Sequence, residues 1–401
     1  MCLWLESLVT EDDRMHRGQR RTGHDPAAEV RVSTEVRVST IELFFDLVFV
    51  FAITQLTSLL ADDPSALGLA RVVLVFGNLW WMYGGYAWLT NAVPPRGPAL
   101  RLLVLVGMAG FLVVALAIPR AFDGGGVAFG LGYLLVTLVH TGMFLLSTRQ
   151  SVVRSMRRLG PVNGGSTLLL LVAGFTDGGP RWALWSAALL LHWGSPLFMS
   201  VSGFAVRAGH FVERHGLIVL IALGESIVAV GIGATGAELR AGNVVTAVLG
   251  LVLAAALWWL YFDGEDERAE RALGAASAER APWLSLYAFG YAFLPVLGGI
   301  VVFAAGVKES VARHGEPLTA SSAWFLAGGV AVYVVGLAWF RWLLGAGPLA
   351  ARLAIAAAVL PTALVGLTPS PGAQLGVLAA IVVAGVVAES AWQRRRATTA
   401  G

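Results

Sequence analysis

Charge is scarce in this sequence: 13% of its residues are Asp, Glu, Lys or Arg, about half the share of a soluble domain. Lysine is nearly absent, with Lys308 alone beside 27 arginines, and there is one cysteine, Cys2. A single cysteine permits neither a disulfide framework nor a thiolate metal cluster, and Cys2 lacks the small-residue run of a lipoprotein cleavage site. With 57% hydrophobic residues and so little charge, a water-soluble globule would expose far more apolar surface than water tolerates. The 48 glycines follow no three-residue period and aliphatic residues abound, which excludes collagen-like and disordered chains. No P-loop, nucleophile elbow or dinucleotide fingerprint is present. Residues 1–40 are charged and hold no apolar signal-peptide core, so nothing there is expected to be cleaved.

What the chain does contain is long apolar runs. A helix crossing hydrocarbon needs about 20 residues, and continuous rather than alternating runs mark helices, not barrel strands. On that scale twelve spans are expected, over 41–60, 68–93, 99–118, 126–147, 161–176, 181–203, 216–236, 242–263, 281–307, 320–343, 349–367 and 373–391. The fifth is short and flanked by glycine, so eleven spans or a re-entrant pair are the alternatives. The expected fold is all-α: a polytopic membrane bundle over 41–391, with a polar tail over 1–40 and a basic tail over 392–401. The first tail repeats the hexapeptide EVRVST at Glu29–Thr34 and Glu35–Thr40, too short a unit for a repeat architecture.

The basic residues orient the bundle, because positive charge resists translocation. With twelve spans entered from the cytoplasm, all but six of the 28 basic residues fall on the cytoplasmic side, the exceptions being Arg71, Arg120, Arg181, Arg240, Lys308 and Arg313. Both termini are therefore expected inside a bacterial cytoplasmic (inner) membrane. The arginines are scattered between apolar runs rather than gathered in a patch, so the lipid bilayer is the expected partner and nucleic acid is not. Trp80-Trp81-Met82-Tyr83 in the second span is echoed by Trp258-Trp259-Leu260-Tyr261 in the eighth, and acids in the first span by one in the seventh. These echoes predict two parallel six-helix halves.

Ionisable groups in hydrocarbon cost several kcal/mol unless paired or wetted, so each one in a span is a candidate site residue. Glu42 and Asp46 lie four apart, on one face of the first helix. Ser39 with Glu42 also reads as a capping box. Nothing basic shares that helix, so the two acids require a partner on another helix or a shared proton. Thr54 and Gln55 continue the polar character. Glu225 lies near mid-depth of the seventh span between Gly224 and Ser226, whose small size lets another backbone approach; a structural acid bonded to a neighbouring helix is the alternative. Asn78 and His192 lie at similar depth, and His192 precedes a helix break at Ser195-Pro196. His140 reads as a packing histidine. The run His210-Phe211-Val212-Glu213-Arg214-His215-Gly216 reads as a self-neutralising interfacial stretch. Its two histidines point about 140° apart on a helix, unlike a zinc-binding pair. Asp263 reads as the start of a solvated loop. No metal and no cofactor is expected.

Three segments carry a resemblance. Glu42-Leu-Phe-Phe-Asp46-Leu-Val-Phe-Val-Phe-Ala-Ile-Thr-Gln55, the stretch His210 to Gly231 with its Glu213-Arg214-His215-Gly216 and Leu223-Gly224-Glu225-Ser226 cores, and Leu257-Trp-Trp-Leu-Tyr-Phe-Asp263 resemble the signatures of the bacterial low temperature requirement A family. The resemblance implies a polytopic inner-membrane protein without an agreed biochemical activity. It singles out Glu42, Asp46, Glu213, Arg214, Glu225 and Asp263 because they fall in the matching motifs. One departure stands out. The family pattern places a histidine two residues before the proline of the ninth span, whereas Phe293 precedes Pro295 here, so a proton relay through that histidine is not expected.

These readings converge on a transporter of a small solute or ion, coupled to protons. Asp46 and Glu225 would form its titratable pair, assisted by Glu42 and His192. The alternatives are a membrane-embedded enzyme acting on a lipid-like substrate through His210, Glu213, His215 and Asp263, and a non-catalytic membrane-organising protein.

Overall fold

The computed structural model describes residues 38–199, 204–233, 241–312, 316–368 and 371–399, and every regular element among them is helical. The helices are α1 (Thr40–Asp62), α2 (Ala66–Ala92), α3 (Pro98–Ala117), α4 (Gly126–Leu145), α5 (Gln150–Ala173), α6 (Gly178–Phe198), α7 (Ala208–Gly233) and α8 (Ala241–Phe262). There follow α9 (Glu265–Ala275), α10 (Arg280–Ser285), α11 (Phe293–Ala312), α12 (Ala320–Leu344), α13 (Ala350–Val359), α14 (Ala363–Gly366) and α15 (Pro371–Thr399). A π turn, Leu286–Tyr291, joins α10 to α11.

Each of the twelve expected runs holds a helix among the described residues. Among the described residues, nine helices are long and apolar enough to cross a membrane. The other three runs are α5, α6 and the pair α13–α14, which spans only Ala350–Gly366. The fifth run is neither as short as expected nor re-entrant. Arg154, Arg157 and Arg158 hid its first half from hydropathy, yet the helix begins at Gln150. It lies antiparallel along α4, with the Thr137 and Thr167 hydroxyls 2.8 Å apart and Gly126 against Gly174 further along.

Three boundaries differ from the sequence reading. α7 starts at Ala208 rather than near 216, which draws His210, Arg214 and His215 into the helix and buries them; the interfacial stretch expected there is interior because acids on α1 neutralise Arg214. After Asp263 the chain forms α9 instead of a loop. Gly264 turns it with φ 92°, a conformation glycine adopts without cost, and Glu265, Asp266 and Glu267 suit the positive end of the helix dipole. Finally, α15 continues through most of the expected 392–401 tail to Thr399, since no glycine or proline interrupts it and alanine and arginine favour helix. The expected N-terminal tail, with its repeated hexapeptide, lies outside the described residues up to position 37.

The packing repeats. In the first half α3 lies against α1 and α4, α4 against α5, α5 against α6, and α6 returns to α2. In the second, α11 lies against α7 and α12, α12 against α13, α13 and α14 against α15, and α15 returns to α8. Details recur with the order. Gly110 and Gly132 bring the α3 and α4 backbones together, as Gly299 and Gly329 do for α11 and α12. Tyr133 of α4 donates to the Asn78 carbonyl of α2 at 2.8 Å, and Tyr333 of α12 donates to the Leu257 carbonyl of α8 at 2.8 Å. Of the tryptophan-tyrosine echo, Tyr83 and Tyr261 are both buried, but Trp80 is buried where Trp258 is exposed. Large apolar side chains such as Leu102, Leu116, Leu131 and Leu138 remain exposed on the outside of the bundle, the pattern of a surface solvated by lipid.

Candidate functional site

The two halves meet where α1 and α7 run side by side in the same direction. Arg214 of α7 is 1% exposed and divides its guanidinium between both acids of α1. Nη1 reaches Glu42 Oε1 at 3.1 Å and Nη2 reaches Asp46 Oδ1 at 3.2 Å. It also donates to the Thr90 hydroxyl of α2 and lies over the rings of Phe45 and Tyr83, 5.3 and 5.6 Å from their centroids. Tyr83 donates to Asp46 Oδ1 at 3.0 Å, and His210 Nε2 lies 3.0 Å from Glu42 Oε1. Glu42 additionally accepts from the Ser39 main-chain N–H at 2.9 Å and from the Ser39 hydroxyl at 2.6 Å. The capping role and the ion-pair role therefore coexist. Asp46 Oδ2, Arg214 Nε and His210 Nδ1 have no partner. Such a cluster survives in a low-dielectric interior because each charge has an opposite neighbour within hydrogen-bond reach.

Glu225 is not part of this cluster. Its Oε2 accepts from the Thr54 hydroxyl of α1 at 2.7 Å, eight residues and about 12 Å along that helix from Asp46. Ser226 is buried with its hydroxyl unpartnered, and Gln55 is only half-buried. His192 belongs to a third place, inside the first half. Asn78 donates through Nδ2 to the Leu74 carbonyl, so its Oδ1 accepts from His192 Nδ1 at 3.1 Å. The imidazole stacks on Trp81 with centroids 5.5 Å apart. The break at Pro196 is closed locally, since the His192 carbonyl, which has no N–H at Pro196 to accept from, accepts from Ser195 at 2.8 Å. The structure thus separates Asp46, Glu225 and His192, which the sequence reading grouped.

The remaining candidates disperse as well. Glu213 is exposed and accepts from the Val38 N–H at 3.0 Å. Asp263 is exposed and accepts from the Ser390 hydroxyl at 3.3 Å. With His210 on the Glu42 seam and His215 on a cavity wall, the four residues of the enzyme alternative share no site. Among the described residues no group of three or more His, Cys, Asp or Glu is placed to hold a metal.

Two features escaped the sequence reading. One is a second buried ion network, at the end of the second half. Glu265, first residue of α9, pairs with Arg341 of α12, Arg352 of α13 and Arg268 of its own helix. Glu389 of α15 pairs with the same Arg341 and Arg352. It ties together helices far apart in sequence, and only the bracketing of the 345–349 break by two arginines hinted at it. The other is an open-mouthed cavity that leaves about 100 Å³ for the centres of water-sized molecules. Its walls come from both halves, α2, α4, α5 and α6 on one side and α7 and the π turn on the other. Aromatic rings dominate the lining, and Ser155 and Arg158 of α5 mark the mouth. His215 lines it, one residue from Arg214, and His215 Nδ1 donates to the Phe211 carbonyl at 2.8 Å. Phe293, at the histidine position of the family pattern, is buried among the rings of Trp80, His215, Tyr261 and Phe340.

Comparison with known proteins covers both halves, the seam and the cavity. The chain is 28% identical over 349 residues to an uncharacterized protein of Rhizobium meliloti (strain 1021), an alignment of 84% of this chain and 85% of that one. No solved structure matches it. Residues 37–388 match the bacterial low temperature requirement A protein family (LtrA). This multi-pass membrane protein belongs to that family.

Proposed function

We propose that the protein transports a small solute by alternating access between its two six-helix halves, in the bacterial cytoplasmic membrane with both termini in the cytoplasm. The observation that carries this reading is the position of the aromatic cavity, walled by both halves and so lying on the boundary that a rocking motion opens and closes. The adjacent residues Arg214 and His215 connect two functions. One holds the α1 carboxylates and the other lines the cavity, so a change of charge in the seam is felt one residue from the solute.

The seam supplies the coupling ion. Glu42 and Asp46 share the single positive charge of Arg214, so a proton bound in the seam would balance the second carboxylate. Asp46 Oδ2 and His210 Nδ1, both without partners, are the atoms open to it. Glu225, held by Thr54 further along α1, is a structural acid in this reading.

Accessibility of the cavity tests the transport reading without knowledge of the solute. A Cβ at Gly84 would meet nothing within 4 Å, so Gly84→Cys, with Cys2→Ser removing the native thiol, places a thiol in the cavity. A membrane-impermeant maleimide is expected to react from both faces, in right-side-out and in inverted vesicles. Reaction from one face alone, at every pH tried, overturns alternating access and leaves a static binding pocket.

A further inference from the structure

The chemistry of the cavity wall points beyond its position. We propose that the solute is a planar aromatic acid, with its ring among the cavity's indoles, its carboxylate toward Arg158 at the mouth, and a polar ring substituent bound by His140. This deepens the reading above, since it takes the cavity to be the solute site.

Three of the four indoles on the wall offer ring faces rather than donors. The N–H groups of Trp80, Trp81 and Trp193 are all used within the protein, on the Gly290 carbonyl at 2.9 Å, Asn163 Oδ1 at 3.1 Å and the Gly77 carbonyl at 3.0 Å. Aromatic faces set around open space favour a flat π-system, stacked or edge-on. Gly84 leaves space free on α2, for a methyl group there would meet nothing, while Gly85 makes room for the His140 ring, whose Nε2 would lie 2.8 Å from a methyl group there.

Charge selects the sign of the ligand. Among the described residues no aspartate or glutamate lines the cavity, whose titratable side chains are His140, His215 and Arg158. Ring faces attract cations as well, but no carboxylate in the described lining would neutralise one at bilayer depth. An anion finds Arg158, which is exposed at the mouth.

His140 supplies the specific contact. It is 1% exposed, it lines the cavity, and its ring nitrogens reach only toward the Gly85 main chain, without a well-formed hydrogen bond. A buried polar group left in that state is destabilising, and native structures rarely carry one without cause. A neutral imidazole offers one donor and one acceptor, which a hydroxyl or ring N–H of a ligand satisfies. The antiparallel pairing of α4 and α5 sets the spacing. His140 lies level with residues just beyond Gly160, so Arg158 is one to two turns nearer the mouth, about 5–9 Å. One or two fused rings bridge that gap.

The probe is 6-hydroxy-2-naphthoate, titrated against purified protein in nanodiscs by equilibrium dialysis, with empty nanodiscs as the reference for partitioning and tryptophan quenching as a second signal. Saturable binding of one molecule per chain is expected. Arg158→Gln, on an exposed rim side chain, and Gly84→Leu, which fills the slot, should each weaken it at least 10-fold. Size-exclusion chromatography and thermal unfolding establish that both variants fold. Removing the hydroxyl, with 2-naphthoate as probe, should weaken binding several-fold in the natural sequence and leave it unchanged in His140→Phe. Absence of saturable binding above empty nanodiscs, indifference to Arg158→Gln, or preference for the cation tetraphenylphosphonium overturns the proposal. None of these outcomes bears on two-sided labelling of Gly84→Cys, so the solute class and the transport reading fail separately.

Discussion

Thr54 and Glu225 meet at 2.7 Å across two helices that run in the same direction. Eleven residues before Glu225, Arg214 meets Glu42 and Asp46 of the same partner helix, so α1 and α7 stay in register over about three turns. Helices that enter a membrane from the same face are separated by an odd number of crossings. Between them lie α2, α3 and α4, each long and apolar enough to cross, so α5 and α6 cross together or not at all.

A short bifunctional thiol reagent should join α1 to α7 when Thr54→Cys is combined with Glu225→Cys in a Cys2→Ser background. Asp46→Cys combined with Glu225→Cys should not react, being about 12 Å out of register. Mobility on denaturing gels after protease cleavage between the halves distinguishes the two. Cross-linking of the second pair alone would contradict parallel alignment.

Arg214→Met should destabilise the protein by about 3–5 kcal/mol, because it leaves two buried carboxylates without a counter-charge. Adding Glu42→Gln and Asp46→Asn to that variant should restore part of the loss, as neutral groups no longer need the guanidinium. Thermal unfolding in detergent measures both steps. A single variant as stable as the natural sequence would mean that the seam is wetter than its burial indicates.

Glu265→Gln isolates the second network. Arg341 and Arg352 would retain only Glu389, and a destabilisation of about 3–5 kcal/mol is expected from the uncompensated charge. Asp263→Asn, two residues away and exposed, should change stability by less than about 0.5 kcal/mol. Chemical unfolding of the two variants side by side checks the contrast.

Neighbouring glycines of α12 should behave oppositely. A methyl group at Gly328 would meet nothing within 4 Å, while one at Gly329 would overlap the Phe303 main-chain nitrogen. Gly328→Ala is expected to be neutral or stabilising by up to about 1 kcal/mol. Gly329→Ala should cost about 1–3 kcal/mol from overpacking. Equal effects in a thermal-shift measurement would show that α11 and α12 separate more readily than their packing suggests.

Much of the fold was legible because spanning helices announce themselves locally. Each of the twelve runs could be found from residues within one window, and α5 was misjudged only where arginines masked its first half. The site was legible in part. Glu42, Asp46 and Glu225 stood out as acids in apolar sequence, and the need for a partner on another helix followed from the absence of a base on α1. Their grouping was not legible, since Arg214 lies 168 residues from Asp46 and 172 from Glu42. The cavity left no mark, because Trp81, Trp88, His140 and His215 look like ordinary packing residues when read one at a time.

The amino-acid order alone determined that this chain lives in lipid and that it crosses as helices. These follow from transfer free energies, which depend on composition over some twenty residues and on nothing further away. Which acid meets which base, and where a space remains between the halves, was decided only when helices packed. Coulomb and van der Waals energies act over a few ångströms, and such distances between side chains far apart in sequence exist only in the assembled bundle.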